Sequence, residues 1–187
     1  MRVIAGKFRS RRLKGPGLLR VRPTSDRLRE TLFNILGPAI EDSLFVDLYA
    51  GTGAIGIEAI SRGARQVVFV EAHAKTVKLI RQNLEALEIH SGAELIEAQA
   101  LSGLEMLAKR RLMADFIFLD PPYDKLNEHN LVLEFLDASH LVTPAGMVIA
   151  EHRRKIELPE RFERLERVRL LEQGDAALSF YRLAAAA

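Results

Sequence analysis

Cysteine is absent from all 187 residues. Disulfides and thiolate metal sites are therefore excluded, and a reducing, cytosolic address is expected. Glycine and proline are few, at 12 and 7 residues, which fits a globular rather than a low-complexity chain. No apolar run approaches the ~20 residues that a membrane helix needs. Met1–Gly6 leads into basic residues without the apolar stretch of a signal peptide. His73, His90, His129, His140 and His152 share no ligand spacing such as H-x-x-x-H, so no metal centre is expected. What remains is 48% hydrophobic and 28% charged, long enough for one domain with a substantial core.

The net charge is only +2, but it is unevenly spread. Residues 1–29 hold ten Lys and Arg against one acid, Asp26, whereas the rest of the chain sums to −7. A basic arm on an acidic body points to a polyanionic partner. The arm is patterned rather than a homopolymer, which favours nucleic acid over a solvated tail. Arg2, Lys7, Arg9, Arg11, Arg12, Arg22 and Arg27 are its candidate nucleic-acid contacts.

Arg2–Gly6 and Arg11–Lys14 read as a small hairpin turning over Gly6–Ser10. "RPTSDRLRETLFNILGP" (Arg22–Pro38) reads as a helix capped by Thr24 or Ser25, with Leu28, Leu32, Ile35 and Leu36 as its apolar face. From Leu44, strands alternate with helices. The strands are Leu44–Ala50, Gln66–Ala72, Ala93–Gln99, Ala114–Pro121 and Gly146–His152. The helices lie near Ala54–Arg62, Ala74–Ile89, Leu101–Arg111 and Asn127–Ser139. Such alternation of apolar strands implies a doubly wound α/β sheet. Arg167–Glu172 and Ala177–Leu183, linked near Gly174-Asp175, are too close in sequence to be parallel, so the sheet ends in an antiparallel hairpin. The mixed charges of Glu151–Arg169 read as solvated surface. Two parts are expected: a basic hairpin and helix over residues 1–41, and an α/β domain over residues 42–187.

"VDLYAGTGAIGIEA" (Val46–Ala59) sets Gly51, Gly53 and Gly56 between a strand and a helix with G-x-G-x-x-G spacing. Glu71 follows Gly51 by twenty residues, at the end of the next strand. A carboxylate there can accept both hydroxyls of a ribose. Asp47, at the mouth of the first strand, argues against a dinucleotide. At ~5 Å and an effective dielectric near 20 it would repel a diphosphate by on the order of 3 kcal/mol per charge pair. The same charge favours a cation. S-adenosylmethionine carries a sulfonium, an ammonium and a ribose, and no phosphate.

"FIFLDPPYD" (Phe116–Asp124) drives an apolar strand to its carboxyl end, the ligand-binding edge of such sheets, and stops it with Asp120. Pro121 and Pro122 have fixed φ and no N–H, and Pro121 biases Asp120 toward extended backbone. The Asp120 carboxylate and Pro121 carbonyl make a rigid pair of acceptors, and Tyr123 adds a flat ring. An exocyclic amino group on a base fits them: two N–H donors for the oxygens, with the base stacked on Tyr123 at ~1–3 kcal/mol. Pulling the two hydrogens into that geometry pyramidalises the nitrogen and exposes its lone pair. The developing positive charge is thereby stabilised more than the ground state.

Asp120-Pro121-Pro122-Tyr123 with Asp47–Gly53 resembles the amino-group methyltransferases that use S-adenosylmethionine. Nearly end to end, the chain resembles one family of them, the RsmD-like guanine-N2 methyltransferases of bacterial 16S rRNA, which modify guanine 966. "RVIAG" (Arg2–Gly6), "RPTSDRLRETLFNIL" (Arg22–Leu36), "DLYAGTGAIGIEAISRGA" (Asp47–Ala64), "FVEA" (Phe69–Ala72), "LDPPY" (Leu119–Tyr123) and "YRL" (Tyr181–Leu183) carry the likeness. It implies a seven-strand Rossmann-like methyltransferase sheet and one guanine as target, in rRNA of a partly assembled small subunit. It assigns cofactor binding to Asp47, Ala50, Gly51, Thr52, Gly53, Glu71, Ala72, Gln99, Ala100 and Asp120, and catalysis to Asp120, Pro121, Pro122 and Tyr123. Gln99-Ala100 departs from the Asp or Asn before Ala that such enzymes often carry beside the adenine. Two other readings stand beside it: methylation of another amino group (adenine N6 in DNA or RNA, or a protein amide), and a non-catalytic RNA-binding assembly factor. An intact Asp120–Tyr123 motif speaks against the last, because a retired site has no need of all four parts.

Overall fold

The structure, a computed structural model, describes residues 1–15, 17, 24–122 and 127–184. Among the described residues, seven strands form one sheet in the order β3-β2-β1-β4-β5-β7-β6, accompanied by five α-helices. The expected doubly wound sheet with an antiparallel end is therefore present. The chain divides into two compact units, Met1–Gln99 and Ala100–Ala187.

In the first unit, β1 (Leu44–Leu48), β2 (Gln66–Glu71) and β3 (Ala93–Glu97) run parallel, joined by α2 (Ala54–Ser61) and α3 (Ala74–Ala86). Every residue of β1 is buried, as a strand covered on both faces must be. Leu48 lies opposite Val70, so Glu71, one residue further on, reaches the level of the turn that follows β1. α1 (Asp26–Leu36) starts at Ser25, whose Oγ accepts the Leu28 N–H at 3.1 Å. Its buried face differs from the expected one. Phe33 and Arg29 are buried and Ile35 is only half-buried, because the Phe33 ring packs on Phe45 at 6.1 Å between centroids. Gly37-Pro38 does not stop the helix abruptly; a 3-10 turn continues to Ile40.

In the second unit, β4 (Ala114–Leu119) pairs in parallel with β5 (Val142–Arg153), flanked in sequence by α4 (Ala100–Lys109) and α5 (Glu128–Ala138). β5 starts earlier than the apolar run implied. The register shifts between Ala114 and Phe116, and this irregularity accommodates Pro144, which cannot donate to a regular ladder. β6 (Leu165–Gln173) and β7 (Ala176–Leu183) form the antiparallel hairpin around Gly174-Asp175.

The charged stretch Glu151–Arg169 is not a solvated surface throughout. Glu151, His152, Leu158 and Leu165 are buried. Asp137 on α5 fixes the approach to β6, accepting the N–H groups of Glu163, Arg164 and Leu165 at 3.2, 2.7 and 2.6 Å. Three backbone donors on one carboxylate hold this loop down where its own sequence shows no apolar period.

Two histidines complete this core. His129 Nε2 donates to the Glu151 carbonyl at 2.8 Å; His152 Nδ1 donates to its neighbour's carbonyl and Nε2 accepts from Ser179 Oγ, both at 2.9 Å. Burial pushes both rings below the ordinary histidine pKa. The unfolded chain therefore binds protons more readily, so the rings' contribution is intact above about pH 6.5 and is lost as pH falls through the interval down to the folded values. Denaturant midpoints should fall between pH 7.5 and 5.5, with a slope of at most about 1.4 kcal/mol per pH unit for each ring. An unchanged midpoint would show that these rings do not resist protonation.

Candidate active site

The glycine turn is built from the bottom of β1 upward. Asp47 lies in the strand, 2% exposed, and its Oδ2 accepts the Gly56 N–H at 2.9 Å. Burial, and then the nearby Glu71 charge, raise its pKa well above the usual carboxylate value, against the lowering effect of the Gly56 bond. Asp47 thus braces the first turn of α2 from below; it is not the open charge at the mouth that the spacing implied. Tyr49 takes φ = 59°, a left-handed conformation that costs a non-glycine residue of order 1 kcal/mol and marks strain at the turn. Ala50 accepts the Gly53 N–H at 2.7 Å and donates to Val70 at 3.0 Å. Gly56 has a packing reason of its own: a Cβ there would lie 2.2 Å from the Phe69 ring, so only glycine lets α2 approach β2.

Glu71 closes the turn. Its Oε2 accepts the Gly51 N–H at 2.9 Å and Oε1 accepts the His73 N–H at 2.8 Å. An ionised carboxylate has about four acceptor positions, so each oxygen can take a further donor. That capacity suits a diol, and Glu71 is 7% exposed, held in a single orientation. Ala72 is half-buried beside it, and Thr52 is buried with its carbonyl accepting from Asn83 Nδ2 at 3.0 Å. Thr52 Oγ1 lies 3.7 Å from the Met1 sulfur. Gln99 is exposed, and Ala100 is buried as the first residue of α4.

In the second unit, β4 buries Phe116–Leu119 and delivers Asp120 at its carboxyl end. Asp120 is half-buried, Pro121 buried and Pro122 exposed. Tyr123 lies outside the described residues, as does Arg22 of the arm. Among the described residues, no group of three or more His, Cys, Asp and Glu side chains could hold a metal ion, and no helix is long and apolar enough to cross a membrane.

The arm is a docked element. Arg2 bridges Arg12 across an antiparallel pair. Glu58 of α2, fully buried, accepts the N–H groups of Ile4 and Ala5 at 2.8 and 3.0 Å. Ser61 Oγ accepts from Phe8 N and donates to the Ala5 carbonyl. Gly6 sits so close that a Cβ would lie 1.8 Å from the Ser61 carbonyl oxygen. Behind the arm, the buried Arg29 donates to the Arg2 carbonyl and to Asp26, and its Nε stands 3.9 Å from Glu58. The outward side chains of Arg2, Lys7, Arg9, Arg11, Arg12 and Arg27 are exposed. Arg29, one of the ten cations of the arm, is internal. Sequence reasoning does not single out Glu58, although a carboxylate between Ile57 and Ala59 in an apolar helix is a readable sign of a buried partner.

Residues 1–182 match the family described as Conserved hypothetical protein 95. The chain belongs to this family. The Bacillus subtilis protein YlbH, described as a putative rRNA methyltransferase, is 36% identical over 182 residues, covering 97% of this chain and 98% of the relative. Ribosomal RNA small subunit methyltransferase D of Haemophilus influenzae is 33% identical over 186 residues, covering 98% and 92%. The solved structure of Escherichia coli yhhF superimposes with a TM-score of 0.87 at 28% identity, over 100% of this chain and 99% of that one. Structures under 20% identical include a methyltransferase and an RNA methyltransferase described as complexed with S-adenosylhomocysteine. At that distance they speak to the Rossmann-like fold alone. The family membership agrees with the RsmD-like resemblance carried by the arm, the glycine turn and the Leu119–Tyr123 motif.

Proposed function

We propose that the chain transfers a methyl group from S-adenosylmethionine to the exocyclic N2 amino group of one guanine, guanine 966, of 16S rRNA, within an assembling small subunit. The observation that carries the reading is the Glu71 clamp on the glycine turn in a family whose relatives include a small-subunit rRNA methyltransferase. The cofactor would supply an electrophilic methyl carbon. Gly51 and Gly53 would let it approach the backbone, with Ala50 and Thr52 lining the turn and Asp47 holding that turn in shape. Glu71 would take the ribose hydroxyls, and Ala72, Gln99 and Ala100 would lie toward the adenine.

The protein's own part in the chemistry falls to the exit of β4. The Asp120 carboxylate and the Pro121 carbonyl would accept the two amino hydrogens, Pro122 would keep the pair rigid, and Tyr123 would stack on the base. Asp120 also lies toward the cofactor in this reading, so its charge stands beside the nitrogen as positive charge develops there. Residues 1–41 would act as an RNA-contacting extension of a catalytic domain spanning 42–187. Two oxygen acceptors do not by themselves distinguish guanine from adenine; the relatives favour rRNA, and the family resemblance favours guanine.

Incubation with labelled S-adenosylmethionine and small subunits from a strain lacking this activity should place label in 16S rRNA. No label in any assembly state of the subunit would end the reading. Glu71→Ala should weaken cofactor binding by about 10-fold or more in calorimetry, the scale of removing bonds to a charged acceptor; an unchanged affinity would remove the ribose role. Replacing Arg9, Arg11 and Arg12 with alanine should flatten the log–log salt dependence of RNA binding by up to ~1 for each phosphate no longer neutralised. A slope like that of the wild type would return those cations to the solvent.

A further inference from the structure

We propose that the cleft between the arm and the start of α1 is a second nucleotide subsite, holding one unstacked nucleotide of the RNA strand apart from the base that is methylated. The inference rests on the RNA reading above and adds to it a site with its own recognition chemistry. The cleft has a volume of about 620 Å³ and is lined by Met1, Arg2, Ser10, Arg12, Leu13 and Asp26. Small-molecule sites typically span about 300–1,000 Å³, so one nucleotide fits.

Its lining is divided by chemistry. Arg2 and Arg12 are exposed guanidiniums brought abreast by the antiparallel bridge between their backbones. Arg12 has no side-chain partner among the described residues, and Arg2 has only a 3.8 Å approach to Asp26 Oδ2. Planar forks of this kind grip a phosphodiester through paired hydrogen bonds. Asp26 is split between two duties. Oδ1 is committed to the buried Arg29 at 2.9 Å, while Oδ2 meets nothing among the described residues nearer than Arg2. Asp26 lines the cleft, and its Oδ2 has acceptor capacity to spare.

That carboxylate decides what the occupant is. A bare phosphate entering to meet the arginines would also meet the negative charge of Asp26. A nucleotide avoids the conflict by placing its phosphate on the guanidiniums and base N–H donors on Oδ2. Guanine suits it best, because its N1–H and N2–H stand side by side on one edge. Met1 and the buried Leu13 give the base an apolar surface, and the Met1 thioether adapts to a flat ring. Met1 also lies 3.7 Å from Thr52 of the glycine turn, so an occupant of the cleft would pack on a residue that touches the turn.

The test follows the methyl resonance of Met1 in methyl-¹³C-methionine protein titrated with GMP, AMP, UMP, inorganic phosphate and the single-stranded tetranucleotide UGUU. GMP should shift Met1 saturably, and phosphate at the same concentration should not. UGUU should bind about 10-fold more tightly than GMP through its added phosphates. Arg12→Ala, at an exposed position, should weaken GMP and UGUU by about 10-fold, and Asp26→Asn should abolish the preference for GMP over AMP, since each removes a charge-assisted bond. Equal shifts from phosphate, or wild-type affinity in Arg12→Ala, would overturn the subsite. Equal affinity for GMP and UGUU would mark a free-nucleotide site and overturn the strand assignment. Retention of 16S rRNA on a filter is measured in parallel: retention without a Met1 shift overturns the cleft alone, and loss of both overturns the RNA reading with it.

Discussion

Asp120→Ala is expected to slow methyl transfer at least ~100-fold while leaving cofactor affinity within a few-fold of wild type, the pattern of a group whose hydrogen bond matters most in the transition state. The lone pair of a base amino group is delocalised into the ring, so the nitrogen attacks poorly until its hydrogens are held out of plane. Alanine removes the charged acceptor and leaves the Pro121 carbonyl alone, which cannot fix both hydrogens. Asp120→Asn is nearly as damaging in this account, because an amide turns a donor toward the amino group in half its orientations. Single-turnover transfer rates with calorimetry of cofactor binding separate the two effects. Turnover within about twofold of wild type in Asp120→Ala would remove this residue from the chemistry.

The second large effect is on stability. Glu58→Ala should destabilise the chain by about 3–5 kcal/mol, the range for breaking a buried ion pair by removing one partner. Glu58 is completely buried and answers four groups: the N–H groups of Ile4 and Ala5, Arg62 Nε at 2.8 Å and the buried Arg29. Arg29 already has Nε and Nη1 without hydrogen-bond partners, and burial lowers its pKa against the raising effect of Glu58 and Asp26. Without Glu58, that cation would be left in a dry site with Asp26 as its remaining counter-charge, and two arm N–H groups would lose their acceptor. For a chain of this size the melting temperature should fall by roughly 10 °C. Glu58→Gln, which keeps an acceptor for the arm but no charge for Arg29, should fall between. A melt within about 2 °C of wild type in Glu58→Ala would mean that the arm is held by other contacts.

How much of this is readable in advance depends on where the information sits. Parallel strands announce themselves, because burial on both faces leaves continuous apolar runs such as Leu44–Leu48 and Phe116–Leu119. The turn chemistry is equally local: Ser25 as a cap, and Gly51 and Gly53 between strand and helix. The place of Glu71 beside the turn follows from its spacing after Gly51, which parallel pairing of β1 with β2 turns into a contact. Partners distant in sequence are not legible. Arg29 reads as one more arm cation, because only tertiary packing brings Glu58 beneath it. Asp137 gives no sign that it holds residues 163–165, and the alternating charges after Glu151 hide a segment fixed from outside by backbone bonds. Spacing puts Asp47 in the right strand but turns its charge toward a ligand, whereas its carboxylate points beneath the turn to Gly56. The apolar face of α1 is off by one side chain, since Phe33 finds an aromatic partner that periodicity does not encode.

In the proposed reaction the amino nitrogen of one base receives the methyl group, and the product names that atom directly. After reaction with labelled S-adenosylmethionine, rRNA from unmodified small subunits is digested to nucleosides and separated with mass detection. The label should elute with N2-methylguanosine, at one site per subunit. Label in N6-methyladenosine, on a ring nitrogen or on a ribose hydroxyl would contradict the assignment of Asp120 and Pro121 to a guanine amino group.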